Sequence, residues 1–257
     1  MRVRELGVVV VPASSEERLR ERDLAELDEA ERAVVRRLIE RLRTPRDLRR
    51  SRRKRRSGKG ERLDVARMLR EAARTGGEPL VRRWSRRAER PRPLVFLCDV
   101  SRSMLPYARA LIHYARTVRR ARPRVRAFAF ATRLTDLDRG DPDDLGGGTR
   151  IGAALEAFNR TYAARGIARG GTIVILSDGW EREDPGLVAR EMQRLRRLAR
   201  RILWVNPQKK HPGYEPLARG MAAALPYVDA FLEGHSLRSL EAVADAIDTA
   251  ATKGVPR

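Results

Sequence analysis

Short apolar runs alternate with amphipathic segments over the second part of the chain. The runs at residues 94–98, 172–176 and 202–205 contain almost only apolar side chains, and residues 125–130 form a similar run. Such runs are typical of parallel strands whose two faces are both buried. The segments between them repeat apolar residues at helical spacing. The pattern predicts an α/β fold over residues 93–257, with a doubly wound, mostly parallel sheet and helices on both faces.

The first part of the chain shows a different organisation. Apolar residues at helical spacing predict one helix that begins near Ser14 and ends at Thr44-Pro45, because the residue before a proline avoids the helical region. We therefore expect an N-terminal helical segment over residues 1–44. Residues 45–92 are predicted to be a basic linker that contains a short helix, from Arg62 to Arg74.

The linker holds the strongest concentration of charge. The chain has 56 Lys and Arg residues against 34 Asp and Glu, a formal net charge of +22, and residues 46–59 hold nine basic residues and one acid. Such a block repels itself, so we expect it to be solvated or disordered, as an interaction segment. An acidic protein, nucleic acid and anionic lipid are all candidate partners. The block has no aromatic residue to stack on bases, and this does not favour nucleic acid.

Composition also excludes several classes of protein. No apolar run is long enough to cross a membrane, and the apolar stretch near the N-terminus is too short for a signal peptide. The only cysteine is Cys98, which excludes a disulfide framework and a cysteine-based metal cluster. We expect the three histidines, His113, His211 and His235, to be structural or at the surface. A reducing cytoplasm is the expected compartment.

Three polar clusters lie where predicted strands or loops give way to helices. They are Asp99-Val100-Ser101-Arg102-Ser103, Gly146-Gly147-Gly148-Thr149 and Ser177-Asp178-Gly179. Ligands of open α/β sheets bind at the carboxyl ends of the strands, so these clusters are expected to meet there. Their carboxylates and hydroxyls are hard oxygen donors, which suit Mg²⁺, Mn²⁺ or Ca²⁺.

Taken singly, each cluster also fits a simpler role. An Asp or Ser at the start of a helix commonly serves as a helix cap. The glycine run does not have the G-x-G-x-x-G spacing of a dinucleotide loop, and the chain has no phosphate-binding G-x-x-x-x-G-K-[ST] motif and no G-x-S-x-G nucleophile motif. The combination of all three clusters favours a metal site.

These residues resemble the metal-ion-dependent adhesion site of von Willebrand factor type A (VWA) domains. In the pattern of that family, Ser101, Ser103 and Thr149 would bind the metal, and Asp99 and Asp178 would bind it directly or through water. Longer strings are similar to the bacterial CoxE-like subgroup, among them Gly147-Gly148-Thr149-Arg150-Ile151-Gly152, Asp178-Gly179-Trp180 and Gly213-Tyr214-Glu215-Pro216. The resemblance covers about residues 93–250.

The resemblance implies a non-enzymatic binding module that works with a MoxR-type AAA+ ATPase. Together they would mature a metalloenzyme client, such as a molybdenum hydroxylase of the carbon monoxide dehydrogenase type. The metal would capture an acidic side chain of a partner, and the N-terminal helix and basic linker would give a second contact. Two alternatives stay open: a metal-dependent phosphohydrolase, for which the sequence offers no evident general base, and a nucleic-acid binder acting through residues 46–59.

Two further residues are expected to affect partner binding. Arg102 stands where many relatives carry glycine, so a bulky cation lies beside the predicted metal. Trp180 follows Asp178 and is predicted to be either an exposed partner anchor or a packed loop residue.

Overall fold

The secondary structure follows the alternation seen in the sequence. The computed structural model describes residues 13–42, 44, 47–59, 62–74, 76–77, 81–142, 145–211 and 213–249. The strands are β1 (Leu48–Ser57), β2 (Arg62–Leu63), β3 (Trp84–Pro91), β4 (Leu94–Asp99), β5 (Val125–Phe130), β6 (Leu134–Asp136), β7 (Thr172–Leu176), β8 (Arg201–Asn206) and β9 (Ala230–Glu233). The helices are α1 (Ala13–Glu21), α2 (Glu29–Arg41), α3 (Val65–Ala72), α4 (Leu105–Ala121), α5 (Ile151–Phe158), α6 (Pro185–Leu198), α7 (Arg219–Ala224) and α8 (Leu237–Thr249).

A six-stranded sheet with the order β6-β5-β4-β7-β8-β9 forms the centre of the molecule. Its neighbouring strands are parallel except for β6, which pairs antiparallel with β5. The four strands predicted from the apolar runs are confirmed. The edge strands β6 and β9 were not predicted, because each is only three or four residues long and incompletely buried.

Both faces of the sheet are covered by helices, as the sequence predicted. Every residue of β4 is buried; Leu94, Phe96 and Cys98 belong to one apolar cluster and Val95 and Leu97 to the other. Helices α4 and α8 contribute to the first cluster, and α5, α6 and α7 to the second. This two-sided burial explains why β4 is an almost unbroken apolar run.

The strand order reverses beside β4. The chain passes from β4 to β5 on one side, and β7 then pairs with the other side of β4. At such a reversal the loops that follow the two central strands diverge and leave a crevice at their carboxyl ends. The polar residues after β4 and β7 lie at this crevice.

The N-terminal region forms two helices, so the prediction of one continuous helix was wrong. A capping box starts α2: the Asp28 carboxylate accepts a hydrogen bond from the Glu31 backbone N–H (2.8 Å), and the Glu31 carboxylate accepts one from the Asp28 backbone N–H (3.0 Å). Residues Leu19, Leu24 and Ile39 belong to the same apolar cluster as α4 and α8. The N-terminal helices therefore complete the core on that face of the sheet; residues 1–12 lie outside the described residues.

The region expected to be a basic linker contains a sheet. Strands β1, β3 and β2 form an antiparallel sheet of three strands in that order, and α3 lies within the range predicted for the short helix. The prediction of a linker was wrong because pairing with β3 fixes the backbone of β1. The side chains of Arg49, Arg50 and residues 52–56 are nevertheless exposed to solvent, as expected. We call the described residues from 48 to 91 the basic lobe.

Asp47 joins the basic lobe to the starts of the central strands. Its carboxylate is fully buried, lies 3.4 Å from Arg92 Nε and 3.7 Å from Arg200 Nη1, and accepts a hydrogen bond from Thr172 Oγ1 (3.1 Å). Its backbone carbonyl accepts hydrogen bonds from the Arg92 N–H and from Arg122 Nη2. Asp47 thus holds cations from three segments that are distant in the sequence.

Replacing Asp47 by Ala should lower the free energy of unfolding by about 3–5 kcal/mol, because it leaves partly buried guanidinium groups without their counter-charge. Urea unfolding followed by circular dichroism measures the change. Asp141→Ala, at an exposed acidic residue that pairs with Arg116, is the matched control and should cost less than about 1 kcal/mol. Equal losses in the two variants would show that Asp47 has no special structural role.

Candidate metal centre

The first part of the site is the turn between β4 and α4. Asp99 is the last residue of β4, and its Oδ1 accepts a hydrogen bond from the Ser101 backbone N–H (2.9 Å). This bond folds the chain back, so that Ser101 Oγ and Ser103 Oγ lie 3.4 Å apart. Asp99 and Ser101 are buried, whereas Ser103 is exposed. The turn therefore presents two hydroxyls from the same short segment towards the crevice edge.

Ser177 connects this turn to the loop after β7. Its Oγ donates a hydrogen bond to Asp99 Oδ2 (2.6 Å) and accepts one from the Gly179 backbone N–H (3.0 Å). Ser177 belongs to the predicted Ser177-Asp178-Gly179 cluster, but no role was predicted for it. Its position directly after a buried strand and before the predicted ligand was the available signal.

Asp178 is held at the crevice through its backbone and its own carboxylate. Its Oδ1 accepts a hydrogen bond from the Trp180 N–H (3.0 Å), and its carbonyl oxygen accepts one from Asn206 Nδ2 (3.2 Å) at the end of β8. Asn206 Nδ2 also donates to Tyr214 Oη (2.8 Å). Burial raises the pKa of Tyr214, and the negative charge of Asp178 adds to the rise. Asn206 was missed in the sequence because it lies at the end of an apolar strand outside any recognised motif.

Thr149 is brought to the same edge by its loop. The Gly146 N–H donates to the Val100 carbonyl (2.8 Å), and the Arg102 N–H donates to the Gly147 carbonyl (3.2 Å). Thr149 follows these glycines in the chain, and it is buried. The Glu181 carboxylate then accepts a hydrogen bond from the Gly152 N–H (2.8 Å) in the first turn of α5, which links this loop to the loop after β7. All five predicted ligands therefore lie on three loops that contact one another.

The electrostatics of the site are dominated by the buried Asp99. Burial raises its pKa to about 7; hydrogen bonds from Ser101 and Ser177 oppose the rise, and the negative charge of Asp178 adds to it. Burial also raises the pKa of the adjacent Cys98 thiol to about 12, so this residue offers no thiolate to a metal at neutral pH. The edge thus combines a buried carboxyl group with a second acidic residue, an arrangement that a cation would stabilise.

The donor set fits a hard divalent cation. Two neighbouring ligands of a six-coordinate ion lie about 3.0 Å apart for metal–oxygen distances of about 2.1 Å, and about 3.4 Å apart for distances of about 2.4 Å. The separation of Ser101 Oγ and Ser103 Oγ, 3.4 Å, agrees with the larger of these two values. Both oxygens of Asp99 already accept hydrogen bonds from the protein, which suits contact with an ion through water. Among the described residues, no group of three or more His, Cys, Asp and Glu could hold a metal, so the hydroxyls are essential to this candidate site.

Comparison with known proteins assigns the chain to a family. Residues 32–240 match the family described as "VWA domain containing CoxE-like protein". The chain belongs to this family. The match begins at residue 32, so the family's region in this CoxE-like VWA chain includes most of α2 and the basic lobe. It starts well before residue 93, where the resemblance in the sequence suggested a start.

Solved structures show low similarity to this CoxE-like VWA chain. Proximal thread matrix protein 1 from the mussel byssus is 16% identical with a TM-score of 0.45; the match covers 62% of this chain and 45% of the mussel protein, so the chain spans under half of that protein's length. The SpRpn10 VWA domain is 13% identical with a TM-score of 0.40, and the match covers 65% of this chain and 99% of that domain. No curated protein sequence matches the chain.

Among the described residues, no helix has the length and apolarity needed to cross a membrane.

The two residues expected to affect partner binding both lie at the surface. Trp180 is 64% exposed, so the alternative of a packed loop residue was wrong, and its role as a partner anchor stays a prediction. Arg102 is also exposed, between Ser101 and Ser103 in the turn, while its backbone N–H holds the glycine loop. Its side chain thus lies on the solvent side of the turn.

Close packing against α7 fixes the Asp178 loop. Gly179 has a φ of +81°, and a Cβ placed there would come within 2.6 Å of Met221 Cβ. The Met221 N–H donates a hydrogen bond to the Gly179 carbonyl (3.1 Å). Only glycine permits this approach, because it has no Cβ and tolerates the left-handed conformation.

Gly179→Ala should lower the free energy of unfolding by about 2–4 kcal/mol, the combined cost of a strained φ and of overpacking against α7. Thermal and urea unfolding would measure it. Gly140 supplies the control, because it has no positive φ and a Cβ added there would meet no atom within 4 Å, so Gly140→Ala should be close to neutral. A neutral result for Gly179→Ala would mean that the loop is not fixed by α7.

Proposed function

We propose that this CoxE-like VWA protein is a non-enzymatic, metal-dependent protein-binding module. The observation that carries the proposal is the contact of three loops at the reversal of the strand order, where the Ser177–Asp99 hydrogen bond joins the turn after β4 to the loop of Asp178. The proposed cofactor is Mg²⁺, with Mn²⁺ or Ca²⁺ as the other hard cations that suit these donors.

Each side chain has a role in this proposal. Ser101, Ser103 and Thr149 would bind the ion, and Asp99 and Asp178 would bind it directly or through water. Two carboxylates only balance the charge of a divalent ion, and the hydroxyls add no negative charge. When bound, the ion supplies a positive centre that attracts a carboxylate from a partner. Exposure of Ser103 and partial exposure of Asp178 leave the approach to this edge accessible from solvent.

The proposed partners follow from membership in the CoxE-like family. A MoxR-type AAA+ ATPase would supply mechanical work, and this protein would connect it to a metalloenzyme client, such as a molybdenum hydroxylase related to carbon monoxide dehydrogenase. We place this activity in the cytoplasm, in line with a single cysteine that is buried. The protein would bind and position its partners without catalysing a reaction itself.

Replacing Asp99 or Asp178 by Ala should remove the metal-dependent part of partner binding. With the purified AAA+ ATPase in a pulldown, we expect wild type to bind at least about tenfold more tightly with Mg²⁺ than with EDTA, since an ion paired with a partner carboxylate has both charges desolvated. Calorimetric titration with Mg²⁺ alone should show binding to wild type and none to either variant.

Asp141→Ala is the control, because it removes an exposed carboxylate that is not part of the site. Equal capture of the ATPase by wild type and both site variants would rule out the metal-bridge mechanism. Mg²⁺- or Mn²⁺-dependent hydrolysis of a phosphate ester that is lost in the same variants would instead identify a phosphohydrolase.

Trp180→Ala should weaken ATPase binding by about tenfold, because truncating an exposed aromatic anchor at an interface typically costs more than about 1 kcal/mol. The affinity of the variant for Mg²⁺ should not change, because the backbone N–H of Trp180, and not its side chain, donates the hydrogen bond to Asp178. The same titration and pulldown separate the two effects. A loss of Mg²⁺ affinity would show that the indole supports the metal site and would argue against an anchor.

A further inference from the structure

The basic lobe concentrates positive charge on a fixed backbone. Its three strands carry eleven basic residues and one acidic residue, Glu89. The cations of β1 are exposed, and within the described part of the chain none of them has a carboxylate at ion-pairing distance. A charge density of this kind, held on paired strands, produces a strong local positive potential.

The pairing of β1 with β3 places like charges opposite one another. Arg49 faces Arg90, Lys54 faces Arg87 and Arg55 faces Arg86, whereas Arg50 faces Glu89. Like charges directly across an antiparallel pair destabilise a sheet. We call the paired strands β1 and β3 the ribbon. Neighbouring residues of a strand point to opposite faces, so cations occupy both faces of the ribbon. A negatively charged partner would relieve this repulsion.

The lobe also exposes an apolar surface beside the ribbon. Helix α3 repeats Val65, Met68 and Leu69 on one side, yet Val65 is 57% and Leu69 65% exposed. Leu63, paired with Trp84 in β3, is exposed as well. An amphipathic helix whose apolar side stays exposed is a typical partner-binding feature.

A backbone hydrogen bond and an ion pair connect the α3 segment to Arg83, next to the start of β3. The Asp64 N–H donates a hydrogen bond to the Arg83 carbonyl (2.7 Å), and the Glu71 carboxylate pairs with Arg67 and Arg83. The exposed apolar side of α3 therefore lies in the same lobe as the cations of β1 and β3.

We infer that the basic lobe is a docking surface for a partner protein whose contact surface combines acidic side chains with an apolar strip. Nucleic acid would engage the cations but would leave the aliphatic residues of α3 without a counterpart. A planar membrane surface would reach the cations of only one ribbon face. A protein segment can supply both kinds of contact. This surface needs no metal, so it adds to the proposed function a second contact that can be tested separately.

The probes are two labelled peptides of about 18 residues, about five helical turns, with equal negative charge. One is amphipathic, with a strip of Leu flanked by Glu on the same side of the helix, and the other carries Ser in place of Leu. Anisotropy is measured with EDTA at about 150 mM salt, where charges are screened beyond about 8 Å. Wild type should bind the Leu peptide at least about tenfold more tightly than the Ser peptide. A duplex DNA of about two turns and phosphatidylserine vesicles serve as the competing ligand classes.

Two variants separate the apolar and charged contributions. Val65→Ser/Leu69→Ser should abolish the advantage of the Leu peptide and leave Ser-peptide binding unchanged; both residues are exposed, so the fold should persist. Arg52→Gln/Arg55→Gln/Arg87→Gln should weaken both peptides and flatten their salt dependence. Arg190→Gln/Arg194→Gln/Arg197→Gln, which removes three exposed cations of α6, is the matched control and should have no effect.

The inference is overturned if DNA or vesicles bind more tightly than the Leu peptide, if neither peptide binds, or if the α6 control weakens binding as much as the lobe variant. Asp99→Ala should bind the peptides like wild type. If the lobe variants lose peptide binding but still bind Mg²⁺, the docking surface is supported independently of the metal centre. If the lobe variants bind the peptides like wild type and only Asp99→Ala loses Mg²⁺ binding, the metal centre alone is supported and the docking surface is overturned.

Discussion

A hydrogen bond between Ser177 and Asp99 determines the geometry of the carboxyl edge of the sheet. It joins the ends of two adjacent parallel strands, β4 and β7, and involves a carboxylate that is fully buried. A carboxylate in that position costs free energy unless its oxygens are hydrogen-bonded. Ser101 and Ser177 provide these bonds, so the two loops must adopt their observed conformations together. The same bonds leave the second lone pairs of the carboxylate oxygens available, which keeps Asp99 suitable for a water-mediated metal contact.

The central sheet could be predicted because burial on both faces leaves a clear pattern. The apolar runs of β4 and β8 are short and bounded by polar residues, as buried strands are, whereas β6 and β9 are edge strands with polar residues of their own. The break between α1 and α2 was missed because the apolar spacing continues across it, although the Asp28–Glu31 capping box was visible in the sequence. The strand β1 was missed for a different reason. Seven basic residues in ten give no strand signal, and only the pairing with β3 makes an extended backbone there.

The candidate site was predictable to the extent that its residues follow directly from strand ends. Asp99 and Asp178 are placed by β4 and β7, and the family resemblance added the roles of Ser101, Ser103 and Thr149. What positions these residues was not predictable. Asn206 and Glu181 act through hydrogen bonds to backbone groups of other loops, and Gly179 acts through the absence of a side chain against Met221. Such contacts depend on distances between segments that are far apart in the sequence.

The two candidate surfaces lie at opposite ends of the same strands. The basic lobe is rooted near the amino ends of β4 and β7, where the chain leaves β3 and where Asp47 bonds Thr172, while the candidate metal centre lies at their carboxyl ends. Six residues of β4, at about 3.3 Å per residue, separate the two ends by about 20 Å. The rigidity of parallel strands buried on both faces fixes this separation. A single partner segment would have to span at least this distance to contact both surfaces, and two separate partners can each occupy one of them. Such a separation is compatible with the proposed module, which would contact an ATPase and its client at different sites.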